Sequence, residues 1–281
     1  MTPRKFPSTL LTVTMAVSLG LASAGCRTLD EKAPGSKKGE AAAANNAPTQ
    51  DWNAAILRAI EQMPIGGGYA VGKEAQEALQ AAVAWEDGKP ALRPGAAQPS
   101  FCSGATYLCL MVMLAKEQRA GGLILTPDAW RKLVVEGQAD GDGVWGRWNA
   151  NGPGTARIFH ELGLGRNFTD WSQAKSGDFL KLFWNEEIGA AEKGHSVIFI
   201  DRGTVEGQDV VTIWSSNQAG GYGVKQIPLS KVKRAVFSRL EHPERFAKAV
   251  EMPERDAFLF SLLEKSVTPE AAAKACGLSK F

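Results

Sequence analysis

Cys102 stands at the start of a strongly apolar stretch, 101–119, directly after Pro99-Ser100-Phe101. Such a stretch is expected to form a buried helix, which puts the thiol at a helix N-terminus. There the free backbone N–H groups and the positive end of the helix dipole favour thiolate over thiol. The same N–H groups can hold the oxyanion that forms when a thiolate attacks a carbonyl. Ser103 and Gly104 are small and leave room for a substrate. A base must take the thiol proton, and the chain has only three histidines. His195 opens an apolar run, Ser196-Val197-Ile198-Phe199-Ile200, that reads as a strand. His160 falls within a helical pattern beside Glu161 and His242 precedes Pro243, so both read as structural.

A third polar group would fix the imidazole. The next apolar run is 210–216. If the hairpin is symmetric about residue 205, position 195 lies opposite 215, and a side chain at 217 shares the face of His195 one pleat further along. Asn217 is then placed to orient the ring and set its tautomer. A slip of one or two residues would bring Ser215 or Gln218 there instead. Ser103, next to Cys102, is a further candidate for the oxyanion or substrate site. Residues 137–154 are glycine-rich and read as a loop, in which Trp145, Trp148 and Asn149 could shape a substrate cleft. Asp178 reads as a strand-start residue. Asp140-Gly141-Asp142-Gly143 looks like half a calcium loop but lacks the later ligands, and no His/Cys cluster has zinc spacing. No metal or cofactor is expected. Cys109 lies two turns along the helix from Cys102, about 10 Å away at helical rise, too far for a disulfide. It reads as core, and Cys276 as free or paired with Cys109.

Hydrophobic periodicity places helices at 52–63, capped by Asp51, and at 73–85, 101–119, 127–135 and 155–162. Strands follow at 178–184, 195–201, 210–216, 223–227 and 234–240. Helices return at 244–250, 255–265 and 269–276. Helices first and an antiparallel sheet afterwards is an α+β order, not an alternating one. The expected division is a catalytic domain over 51–243 and a helical extension over 244–281.

The chain has 281 residues, 44% hydrophobic and 22% charged, an ordinary globular composition. Lys+Arg is 32 against 30 acids. That balance argues against a broad basic surface for nucleic acid. Arg4 and Lys5 precede an apolar run, 10–21, too short to span a bilayer, and Ala22-Ser23-Ala24-Gly25-Cys26 follows. This is the pattern of an export signal. Ser23-Ala24-Gly25-Cys26 resembles the lipobox of bacterial lipoproteins, which would make Cys26 a lipid anchor; cleavage after Ala24 is the alternative. Residues 26–50 hold one leucine and no aromatic, and read as a flexible tether. The expected location is the bacterial cell envelope, lipid-anchored or periplasmic.

The segments FCSGATYL, SGDFLKLF, GHSVIFID and KRAVFSRL, taken in order, resemble the NlpC-type and CHAP-type papain-like cysteine hydrolases of bacterial cell walls. The resemblance spans roughly 98–240. In those families a Cys-Ser-Gly opens a helix, a Gly-Asp begins the first strand, and a His begins the next. The resemblance implies a papain-like α+β fold, with helices packed on an antiparallel sheet. It implies Cys102 as nucleophile, His195 as general base and Asn217 as third member, and Gln98, four residues before Cys102, as a further oxyanion donor, at a shorter spacing than in papain. Phe101 stands where those families usually carry Asp, and about 75 residues separate Cys102 from Gly177, more than is common. The implied function is a peptidase or amidase that cuts peptidoglycan through a thioester. Two other readings share the fold: a silent module that binds glycan or peptide through the tryptophan-rich loop, and an acyltransferase that passes the thioester to another acceptor.

Overall fold

The computed structural model describes residues 50–281. The expected export signal, Cys26 and the expected tether up to residue 49 lie outside the described residues. The first helix, α1 (Trp52–Ile60), starts at Asp51, whose carboxylate accepts the Ala54 N–H, and it buries Ala55, Ile56 and Ala59. A two-residue strand, β1 (Gly66–Gly67), precedes α2 (Lys73–Ala82). The helix expected over 73–85 ends early because β2 (Val83–Glu86) and β3 (Lys89–Leu92) form a hairpin. Its turn is Asp87-Gly88, both at positive φ, the type I′ geometry that Asp-Gly favours.

Next comes α3 (Cys102–Arg119), in which every residue from Ser103 to Ala115 is buried. A helix apolar on all sides belongs in the middle of a core, and each fully buried Leu, Met or Val contributes about 1.5–3 kcal/mol. Thr126 caps α4 (Pro127–Leu133). The segment expected as a loop contains α5 (Gly143–Asn149), and α6 (Gly154–Leu162) follows, closed by Gly163. Then come β4 (Gly165–Phe168), β5 (Phe179–Phe183), β6 (Gly194–Val205), β7 (Gln208–Asn217), β8 (Gly221–Pro228) and β9 (Arg234–Leu240). After β9 the helix expected over 244–250 is 3-10 in form, Pro243–Val250. Two short helices end the chain, α7 (Ala257–Ser261) and α8 (Pro269–Ala275).

The main sheet is antiparallel throughout, in the order β1-β8-β7-β6-β5-β9-β4. One face packs on α3, where Ile198 and Trp214 join Leu108, Leu110 and Tyr107 in the large core. The other carries Leu180, Leu182, Val197, Phe199, Ile213 and Phe237. The fold is α+β, as its element order implies.

Two buried charges hold the layers together. Asp178 is fully buried and accepts from Arg239 Nε at 2.8 Å and Nη2 at 2.6 Å, and from Asn53 Nδ2 at 2.8 Å. This ties α1, β5 and β9 at one point. Gly177 before it has φ +95°, and a Cβ there would meet the Asn53 carbonyl oxygen at 2.6 Å. Arg147 on α5 is also fully buried. It bonds Glu161 at 2.9 Å and the carbonyls of Gly143 and Pro253 at 2.8 and 2.7 Å. With Phe246 and Ala249 in the large core, these bonds join the C-terminal segment to the same body as the sheet. Among the described residues no helix is long and apolar enough to cross a membrane. Cys109 and Cys276 are both buried and free.

Candidate active site

The site is built on two element starts and one hairpin. Cys102 is the first residue of α3, half-exposed, and no side chain caps the helix there. The N–H groups of its first turn therefore have no side-chain partner. His195 is the second residue of β6 and pairs with Leu182 of β5.

The β6–β7 hairpin decides which residue meets His195. Its turn is Glu206-Gly207, both at positive φ, between the pair Val205↔Gln208. Pairing runs to Asp201↔Thr212, leaves Ile200 unpaired, and resumes at Phe199↔Ile213 and Ile198↔Trp214. Ile200 is a β-bulge. Continued to the strand ends, this register sets His195 directly against Asn217. The expected symmetry about residue 205 is therefore corrected: position 215 does not oppose 195. The Ser215 hydroxyl instead donates to the Ser196 carbonyl at 2.7 Å, and Gln218 lines the cleft beyond the strand end.

Nε2 of His195 lies 3.2 Å from Oδ1 of Asn217. The amide nitrogen of Asn217 donates to the carbonyls of Ser215 at 3.1 Å and Gly223 at 2.9 Å. Those two bonds orient the amide so that its oxygen faces the ring. His195 then donates from Nε2, and Nδ1 remains for the sulfur of Cys102. Burial pushes the Cys102 thiol up, but a hydrogen bond and the charge of His195, the Ser196 N–H and the Lys181 ammonium outweigh it. Together they bring it down to about 6 from the usual 9. Such a cysteine is largely thiolate at neutral pH. Trp184 covers the outer side of the imidazole, ring centres 6.3 Å apart.

Tyr69 was not legible from spacing. A parallel bridge between Tyr69 and Ser100 brings it beside the helix start, and the Ala70 N–H donates to the Ser100 carbonyl at 3.0 Å. Tyr69 and Cys102 line the same cleft. Burial, and then the negative charge of Cys102 and its hydrogen bond, push the phenol up to about 12. It is thus a proton donor at neutral pH.

The other expected site residues divide. Ser103 lines the cleft and donates to Asn149 Oδ1 at 2.6 Å, while Asn149 donates to Asp140 at 2.7 Å. Gln98 is corrected: it is exposed, does not line the cleft, and lies over Gly67, where a Cβ would approach its side chain to 2.5 Å. Trp145 and Trp148 are corrected as well. Both are buried, with Trp145 packed on Tyr107 and Trp148 on Phe179, ring centres 5.1 and 5.0 Å apart. Their segment reaches the cleft through Asp140, Asn149 and Asn151. A tryptophan-rich binding loop is therefore not present, and the silent-module reading loses its proposed contact surface.

The cleft around Cys102 and His195 has a volume of about 730 Å³. Among the described residues no group of three or more His, Cys, Asp or Glu could hold a metal ion. No protein-family model, curated protein or solved structure matches this chain.

Proposed function

We propose that the protein is a thiol hydrolase, a peptidase or amidase, with Cys102 as nucleophile. The observation that carries this reading is the constellation in one cleft: Cys102 at the head of α3, His195 close enough to lower its pKa, and Asn217 oriented toward the ring. His195 takes the thiol proton on Nδ1. The Cys102 thiolate attacks the scissile carbonyl carbon, and the carbonyl oxygen takes the negative charge. The Tyr69 hydroxyl and the first-turn N–H groups of α3 face that oxygen. Collapse of the tetrahedral intermediate breaks the C–N bond, and His195 gives its proton to the leaving amine. A water, deprotonated by His195, then cleaves the thioester and releases the acid.

The sequence resemblance to cell-wall hydrolases and the expected export signal both support peptidoglycan as the substrate. The test compares the wild-type protein with Cys102→Ala, each incubated with intact peptidoglycan, with soluble fragments read by mass spectrometry. Fragments from the wild type alone are expected, and their masses name the bond. Equal release by both proteins, or by neither, overturns peptidoglycan hydrolysis.

A further inference from the structure

The charges of the cleft are distributed unevenly. Part of the lining carries both signs. Lys181 pairs with Glu192 at 2.8 Å, and Glu192 also accepts the Gly189 N–H at 3.0 Å. Asp140 accepts from Asn149, and burial raises its carboxyl pKa. The rest of the lining holds Lys193 just before β6, Lys225 on β8 and Lys231 in the turn after β8. These three are exposed. Among the described residues the lysine ion pairs are Lys73–Glu77 and Lys181–Glu192, so none of the three is paired. Among the described residues the acids that line the cleft are Asp140 and Glu192.

The chain as a whole is nearly balanced at +2, so this cluster is a local feature. Like charges gathered in a concave wall repel one another, and they focus the field on whatever enters. Ile227, buried and contributing to the same lining, and Trp184 beside His195 add apolar surface to the cleft.

We propose that this arm of the cleft is a recognition site for an anionic chain. Lys193, Lys225 and Lys231 select peptides that carry carboxylates on one side of the bond presented to Cys102. The inference rests on the hydrolase reading only for the position of that bond; the binding site itself does not require turnover.

The test measures equilibrium binding of two peptides to the full-length Cys102→Ala protein by calorimetry at low ionic strength. The peptides are N-acetyl-(Glu-Ala)₃-amide and its Gln-for-Glu counterpart. The glutamyl peptide is expected to bind about tenfold tighter, as three exposed ion pairs allow, and to weaken with salt. Replacing all three lysines by glutamine (Lys193→Gln, Lys225→Gln, Lys231→Gln) should abolish the preference while leaving the melting temperature unchanged. Equal binding of the two peptides, binding of neither, or a preference that survives the triple substitution overturns the proposal. Iodoacetamide labelling of Cys102 in the otherwise wild-type protein is read in parallel. An inert thiol counts against the hydrolase reading and leaves the binding result standing.

Discussion

Asn217 can only accept from His195: its amide nitrogen is committed to the carbonyls of Ser215 and Gly223, so its oxygen faces the imidazole. The imidazole tautomer is thereby set two bonds away from the sulfur it serves. Asn217→Ala removes the acceptor and frees the ring to rotate. Turnover should fall about 10²-fold, the usual cost of small misplacements of a reacting group, with less change in KM. Asn217→Asp should do more damage to stability, because a carboxylate would face two carbonyl oxygens it cannot donate to. Thermal melting of the two variants checks this order.

Cys102 should titrate as an ion-paired thiol. Its folded value is lowered to about 6, so the thiolate population, and with it reactivity, rises as pH passes upward through that value and is lost below it. The rate of alkylation by iodoacetamide between pH 4 and 10 reads this directly. His195→Ala removes the leading cause of the lowering, so the midpoint should move up toward the ordinary thiol range. A midpoint unchanged by that substitution would contradict the role given to His195.

Tyr69→Phe keeps the ring and deletes the hydroxyl beside Cys102. If that hydroxyl holds the oxyanion, kcat falls by about 10²-fold while KM is nearly unchanged. A phenylalanine variant with wild-type kcat would remove Tyr69 from the oxyanion site.

Asp178 tests the scaffold separately from the chemistry. Asp178→Asn leaves the buried guanidinium of Arg239 without its counter-charge. Breaking a buried pair on one side costs about 3–5 kcal/mol, and urea denaturation should show a loss of that size. The alkylation midpoint of Cys102, measured where the variant is still folded, should not move.

Much of this protein was written in short-range pattern. The unbroken apolar run after Phe101 can only be a buried helix, and that alone places Cys102 at its start. The run after Gly194 can only be a buried strand, which places His195 at its opening. Helices followed by an antiparallel sheet then follow from element order. Two misreadings were local as well: the Asp87-Gly88 turn signals the β2–β3 hairpin, and the helical spacing of Val144, Trp145 and Trp148 marks α5 within the glycine-rich segment.

Other features were decided only by the folded chain. Counting back from the Glu206-Gly207 turn without a bulge would set Gln218 against His195 and turn Asn217 to the opposite face, since one residue of register reverses every side chain. The unpaired Ile200 shifts the ladder by one and makes Asn217 the partner. No local pattern in the sequence announces that bulge. Tyr69 reaches Cys102 through a bridge to Ser100 over more than thirty positions of chain, and Trp145 and Trp148 enter the core because α5 packs on α3 and the sheet. Position along an element is set by neighbours in sequence; which side chains face each other across elements is set by contacts between distant segments, and those exist only once the chain has closed on itself.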